Sequence, residues 1–191
     1  MFGAMNQRIP LGRWVGLPLT ISPLGIVCYL ALIPLSALGS LLFANLDLVS
    51  ALWVGCLVAL SMFVFEWLHQ WGHALAARRT GYPMIGIHFF SLFSASQYPP
   101  DEPSLPPILH IRRALGGFWI NLLIGLLLRA AALNLWSSGG ALGWFTAVNA
   151  IWNFFILGLG ALVPINIPGV LMNDGASLLH YWRVLQTERA H

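Results

Sequence analysis

Long apolar stretches separated by short polar segments make up most of this 191-residue chain. Residues 14–46 and 48–65 carry no charged side chain, and none occurs between Arg129 and Asp174. A helix needs about 20 consecutive apolar residues to cross the hydrocarbon layer of a bilayer. The pattern therefore predicts four transmembrane helices, near residues 22–43, 50–78, 114–136 and 143–163.

The segments outside these spans are short. The run GRWVGLPLTISP, residues 12–23, is β-prone between Gly and Pro, which predicts a short strand or interfacial segment. Residues 82–98 are apolar but too short to span as a helix, so we expect a strand pair or a re-entrant connector. Residues 176–190 are predicted to form an amphipathic C-terminal helix. We expect an all-α integral membrane protein, a single polytopic domain over residues 1–191 with no appended soluble domain.

Composition agrees with a membrane protein, with 58% hydrophobic and 8% charged residues and a mean hydropathy of +0.77. Eight of the nine arginines fall on one side of the predicted spans, which the positive-inside rule makes cytoplasmic. We therefore interpret the net charge of +3 as topology, not nucleic-acid binding. The expected location is a bacterial-type plasma membrane, with both termini cytoplasmic.

The second span contains a pair of histidines at helical spacing. In FEWLHQWGHALAARRTG, residues 65–81, His69 and His73 lie four apart and share one helix face with Glu66 and Gln70. Two histidines at i and i+4 can bind one zinc ion from successive turns. The alternative is that they are only polar residues facing the helix bundle.

A catalytic zinc ion usually has three protein ligands. Asp174 is the only acidic residue between Glu102 and Glu188, and it follows the proline-containing end of the fourth span on the cytoplasmic side expected for His73. Asp174 is therefore the candidate for a third ligand beside His69 and His73.

Gln70 occupies the position where an HExxH zinc protease has a glutamate as general base. Glutamine cannot accept a proton, and losing a general base costs about 10²- to 10⁴-fold in rate. Glu66 is the only acidic residue in a predicted span. Three interpretations of it remain open: an acceptor that orients a ligand histidine, a replacement general base, or a packing residue.

Three motifs carry a resemblance to a known family. HQWGHALAARRTG is similar to the H-E-x-G-H-A signature of the site-2 protease family of intramembrane zinc metalloproteases, LGGFWINLL resembles its G-P-x-x-N helix, and PINIPGVLMNDG resembles its N-x-x-P…D-G motif. The resemblance implies zinc on His69, His73 and Asp174, with Asn121 facing the site as a donor to substrate. It also implies a membrane-embedded polypeptide substrate, presented beside a strand within residues 84–97.

Two functions follow from the resemblance and from Gln70. One is a site-2-protease-like metalloprotease whose activity is reduced or absent with glutamine at position 70. The other is a catalytically inactive zinc-binding pseudoprotease that binds transmembrane peptides. A membrane di-iron oxidase is disfavoured, because it needs about eight clustered histidines and this chain has six, mostly scattered. His88 receives no role.

Overall fold

The computed structural model describes residues 7–135, 140–167 and 171–190. Four helical segments within these ranges are long and apolar enough to cross a membrane, as the sequence predicted. They are Pro23–Phe43 (α1), Leu48–Arg79 (α2), Pro107–Leu135 (α3) and the continuous run Gly140–Leu162. The third begins at Pro107, before the expected residue 114, and residue 136 lies outside the described ranges.

Local sequence explains where α1 and α2 begin and where α2 ends. The Ser22 hydroxyl accepts a hydrogen bond from the Gly25 amide, and the Asp47 carboxylate accepts from the backbone at the start of α2. Such side-chain caps satisfy backbone N–H groups that have no partner in the first turn. Helix α2 ends before Gly81, whose φ of +84° suits glycine.

A four-stranded sheet makes the all-α fold class wrong. Its strands are Ile9–Trp14 (β1), Leu17–Ile21 (β2), Gly86–Phe89 (β3) and Ser94–Gln97 (β4), in the order β1-β2-β3-β4. The two hairpins are antiparallel, whereas β2 and β3 pair in parallel. The amino-terminal run and the connector, which the sequence analysis treated separately, thus form one sheet.

The sheet packs against α2 through a small apolar core. Leu19 and Ile21 of β2 and Ile87 and Phe89 of β3 are buried, in one cluster with Ala77 near the end of α2. Strand β4 lies at one edge of the sheet and contacts α2. Burying apolar side chains fixes the register of the inner strands, and this places β4 beside the histidines of α2.

The fourth span loses regular α-helical structure before its end. Gly140–Ile151 (α4) continues as a π-helical segment, Trp152–Gly158, and a 3₁₀ turn, Leu159–Leu162. Pro164 follows and cannot continue an α-helix, while Pro168, the second proline at this end of the span, lies outside the described residues. π-Helical segments are frequent at functional sites.

The last elements bring the chain back to α3. A short hairpin pairs Asn166–Ile167 (β5) with Leu171–Met172 (β6), and Asp174–Ala190 forms the C-terminal helix α5. One side of α5 packs against α3, while Leu179 and Trp182 on the other side are exposed.

Candidate metal centre

Helix α2 presents four polar side chains on one buried face. Glu66, His69, Gln70 and His73 are between 2% and 6% exposed. Glycines allow α3 to pack closely on this face, because a Cβ added to Gly116 would lie 2.6 Å from the backbone oxygen of Gly72. Small residues of this kind let transmembrane helices approach each other.

Three potential ligand atoms converge at the contact between α2, α3 and α5. The distance between Nε2 of His69 and Nε2 of His73 is 3.1 Å. Oδ2 of Asp174 lies 3.2 Å from the first of these nitrogens and 3.1 Å from the second. The structure therefore brings together the three residues that the sequence suggested as zinc ligands.

Hydrogen bonds at the other ring nitrogen, Nδ1, fix the orientation of the two imidazole rings. Nδ1 of His73 donates to the backbone carbonyl of Arg113 at 2.8 Å, and Nδ1 of His69 donates to Oδ1 of Asn121 at 3.1 Å. With the proton on Nδ1, a neutral imidazole has a lone pair on Nε2. Two imidazole lone pairs and a carboxylate oxygen then face one another, so positive charge is required between them.

Protons on the imidazoles or a metal cation can supply this charge. Zinc ligands at about 2.0–2.1 Å in tetrahedral directions are about 3.3–3.4 Å apart, close to the separations measured here. Gly117 leaves the space beside them open: a Cβ at this position would lie 2.5 Å from Nε2 of His73 and 2.6 Å from Nε2 of His69. The donor set and its spacing therefore fit a zinc ion.

Asp174 is positioned by the residue before it. The Asn173 side chain accepts from the backbone amides of Ile165 and Ala176 and donates to the carbonyl of Val163, which joins the start of α5 to the broken end of the fourth span. Burial alone would raise the pKa of Asp174, but the charge and hydrogen bonds of His73 and His69 lower it well below its usual range. Asp174 is thus an anionic group at neutral pH, as a carboxylate ligand must be.

Gln70 and Glu66 both bind the edge strand β4. Nε2 of Gln70 donates to the Ser94 carbonyl at 3.3 Å, and its Oε1 accepts from the Ser96 hydroxyl at 2.7 Å. Oε1 of Glu66 accepts from the Ser94 amide at 2.8 Å and from the Ser94 hydroxyl at 2.6 Å. These two side chains therefore help to hold β4 beside His69 and His73.

The contacts of Glu66 bear on the three interpretations left open. Because Nδ1 of each histidine has another partner, Glu66 does not orient either ring through that atom. Its Oε2 is buried and has no hydrogen-bond partner among the described residues. The carboxylate thus acts in the structure mainly as an anchor for β4.

Asn121 lies behind His69, away from the cavity. It is 0% exposed, and both hydrogens of its amide are engaged, one by the Phe65 carbonyl at 3.3 Å and one by Oδ1 of Asn153 at 2.8 Å. In the structure Asn121 therefore orients His69, a contact that the sequence pattern did not indicate. The substrate contact that the resemblance implied stays a prediction.

The other histidines among the described residues lie outside the cluster. Nδ1 of His88 lies 2.9 Å from the Thr20 hydroxyl, between β3 and β2. The rings of His110 and Tyr181 stack with centroids 3.9 Å apart, which joins α3 to α5. His180 is exposed on α5.

A cavity of about 640 Å³ opens beside the three ligands. Its lining includes Gln70 and the small side chains of β4 as well as apolar residues such as Ile156 and Met172. Arg113, which also lines the cavity, makes a bidentate ion pair with Glu102, the shorter contact 2.6 Å long. From the sequence Arg113 was interpreted only as a sign of topology, because no local pattern signals this ion pair.

Comparison with known proteins finds a solved structure with a similar fold. No protein-family model matches the sequence, and no curated protein matches it. The solved structure of the site-2 protease from Methanocaldococcus jannaschii is similar, with a TM-score of 0.57 and 18% sequence identity. The match covers 95% of this chain and 73% of that one. The chain is thus an integral membrane protein that shares the fold of a site-2 protease.

Proposed function

We propose that this chain is a site-2-protease-like zinc metalloprotein that receives a membrane-embedded polypeptide, with proteolysis reduced or absent because Gln70 replaces the general base. The observation that carries the proposal is the convergence of His69, His73 and Asp174 on the wall of a cavity, with separations that suit zinc. The shared fold supports the same function but does not by itself establish an activity.

Each residue of the proposed site has a distinct role. His69, His73 and Asp174 would hold the ion, which when bound lowers the pKa of water and polarises a substrate carbonyl. Asn121 and the Arg113 carbonyl keep the imidazoles oriented. Gln70 stands next to the first ligand with an amide that takes up no proton, so general-base catalysis at this position is lost.

The alternative function is a zinc-binding pseudoprotease that holds a transmembrane peptide without cutting it. A specific contact favours it: the Gln70 amide donates to the Ser94 carbonyl while accepting from the Ser96 hydroxyl. An ionised glutamate has no hydrogen to donate. Glutamine therefore fits the contacts of β4 better than the residue required for proteolysis.

The cavity is suited to an extended polypeptide between β4 and the broken fourth span. Its lining combines hydrogen-bonding groups with apolar side chains, as a segment leaving the lipid phase requires. The partners proposed are a transmembrane polypeptide and the lipid bilayer, with no nucleic acid. The metal side and both termini are proposed to face the cytoplasm of a bacterial-type cell.

The first experiment measures zinc in purified protein. We expect about one zinc per chain, and we expect alanine at His69, His73 or Asp174 to abolish it, because three ligands leave no redundancy. His110→Ala is the matched control, since His110 lines the same cavity outside the cluster and should leave zinc bound. Full zinc retention in the Asp174 variant would contradict the proposed ligand set.

The second experiment compares cleavage of a transmembrane peptide by three forms. Gln70→Glu should create or raise cleavage by about 10²- to 10⁴-fold, because it restores a proton acceptor. If the unaltered protein cleaves and Glu66→Gln stops it, Glu66 is the base. Zinc binding with peptide binding but no cleavage in any form would identify the pseudoprotease.

A further inference from the structure

Two buried asparagines on the fourth span continue the contacts of the metal centre into the helix bundle. Asn149 and Asn153 are both 0% exposed. Nδ2 of Asn153 donates to the Asn149 backbone carbonyl at 2.9 Å, and its Oδ1 accepts from Nδ2 of Asn121 at 2.8 Å. Oδ1 of Asn121 in turn accepts from His69 at 3.1 Å. One chain of hydrogen bonds therefore links the backbone of the fourth span to a zinc ligand.

The Asn149 backbone carbonyl determines which group donates in every hydrogen bond of this series. A backbone carbonyl can only accept, so the Asn153 amide group must point to Asn149 and its oxygen to Asn121. Asn121 must then turn its own amide group to Asn153 and its oxygen to His69. His69 consequently donates from Nδ1, and its Nε2 keeps the lone pair that a metal needs.

We propose that Asn153 is a positioning residue that holds His69 in its metal-binding form through Asn121. The inference rests on the proposed zinc site. It adds Asn153, which contacts Asn121, to the ligand His69 and its direct partner Asn121. The Phe65 carbonyl also accepts from Asn121, but at 3.3 Å it is the longer contact. Asn153 supplies the shorter and fully buried one.

Asn149 offers a matched control on the same helix. Its Oδ1 accepts from the Ser61 hydroxyl at 2.7 Å and its Nδ2 donates to the Phe145 carbonyl. This side chain is equally buried and equally bonded, but it joins α4 to α2 without contacting Asn121. A general loss of packing should therefore appear in both Asn149→Leu and Asn153→Leu, and a loss of histidine orientation only in the second.

The test uses the full-length protein in lipid nanodiscs and two readouts. Nitrogen-15 NMR of histidine, recorded without zinc at a pH where the imidazoles are neutral, should show His69 protonated at Nδ1 in the unaltered protein and a mixture of tautomers in Asn153→Leu. Zinc affinity, measured by competition with a chromophoric chelator, should fall about 10-fold in Asn153→Leu and stay within about 2-fold in Asn149→Leu.

Asn153→Asp is the rescue variant. A neutral carboxylic acid can donate to the Asn149 carbonyl and accept from Asn121, so zinc affinity and the His69 tautomer should be retained. This variant also keeps the proposal testable if Asn153→Leu does not fold, because an altered tautomer in folded Asn153→Asp would count against it.

The outcomes separate this inference from the proposed function. An unchanged His69 tautomer and unchanged zinc affinity in folded Asn153→Leu would overturn the role of Asn153 while leaving the zinc site intact. An unaltered protein that binds no zinc but shows the expected tautomer, lost in Asn153→Leu, would refute the zinc site and retain the hydrogen-bonded chain.

Discussion

Gly117 provides the most direct test of whether the three ligands form a metal site. Its missing side chain leaves the space next to both imidazoles open, so Gly117→Ala adds one methyl group at the point where the ligand atoms converge. The added Cβ would lie 2.5 Å from Nε2 of His73 and 2.6 Å from Nε2 of His69, whereas ordinary contacts begin at 3.4 Å. The rings must therefore retreat by about 0.9 Å and 0.8 Å, the differences between those distances.

Displacements of this size are several times what a metal site tolerates, since ligand distances normally vary by about 0.2 Å. Loss of an outer-shell partner alone costs about 10- to 100-fold in metal affinity. Moving two of the proposed ligands should therefore lower the zinc affinity by at least about 100-fold, the upper limit of that range. The added methyl group should also cost some stability, because overpacking a buried site costs about 1–3 kcal/mol. Part of this is offset because alanine is favoured over glycine within a helix by about 0.5–1 kcal/mol.

The assay pairs zinc affinity with the melting temperature of the zinc-free protein. Gly117→Ala should lose zinc with only a small drop in melting temperature, because the contacted atoms are side-chain ends that can turn away. Gly116→Ala is the contrasting variant, because its Cβ would lie 2.6 Å from the Gly72 backbone oxygen and should lower the melting temperature by separating α2 from α3. Zinc bound by Gly117→Ala with unaltered affinity would refute the assignment of these nitrogens as ligands.

Two further predictions concern the connector. The hydrogen bonds from Arg113 lower the pKa of Glu102, so the stability they contribute is present above the unfolded pKa, about 4.3, and is lost as the pH falls through the lower folded value. The melting temperatures of unaltered protein and Glu102→Gln should therefore differ at pH 6 and converge toward pH 3, and a constant difference would contradict this linkage. Cysteine at the exposed position Ser104, in a background without the two native cysteines, should not react with an impermeant reagent outside intact cells, whereas labelling would place the connector outside.

The spans were predictable because each depends only on a local property. A stretch of about 20 apolar residues has few alternatives to crossing the bilayer, and the part of the chain that the structure describes contains four such helices. The spacing of His69 and His73 also gave their common face, since residues four apart meet on any α-helix. Asp174 could be suggested because the chain has so few acidic residues that little competed with it.

The sheet could not be predicted in the same way. Strands β2 and β3 pair in parallel although 64 residues separate Ile21 from Gly86 along the chain. Short apolar strands carry no signal of their partner, because register follows from packing on a face that only the folded protein has. The contacts of Asn121 and Arg113 were missed for the same reason, as each depends on residues from another element.

At position 70, the free energy of one hydrogen bond can be compared with the catalytic barrier that a general base removes. A glutamate at this position would lose the hydrogen bond to the Ser94 carbonyl, a contribution of about 0.5–1.5 kcal/mol. The general base it would supply is worth about 10²- to 10⁴-fold in rate, roughly 3 to 5 kcal/mol of barrier. For catalysis the second effect is the larger, so a chain that depended on rapid proteolysis would gain from glutamate despite a looser β4. Glutamine is the better residue only where holding β4 beside the histidines matters more than the rate of cleavage, as the proposed binding of an uncut peptide would require.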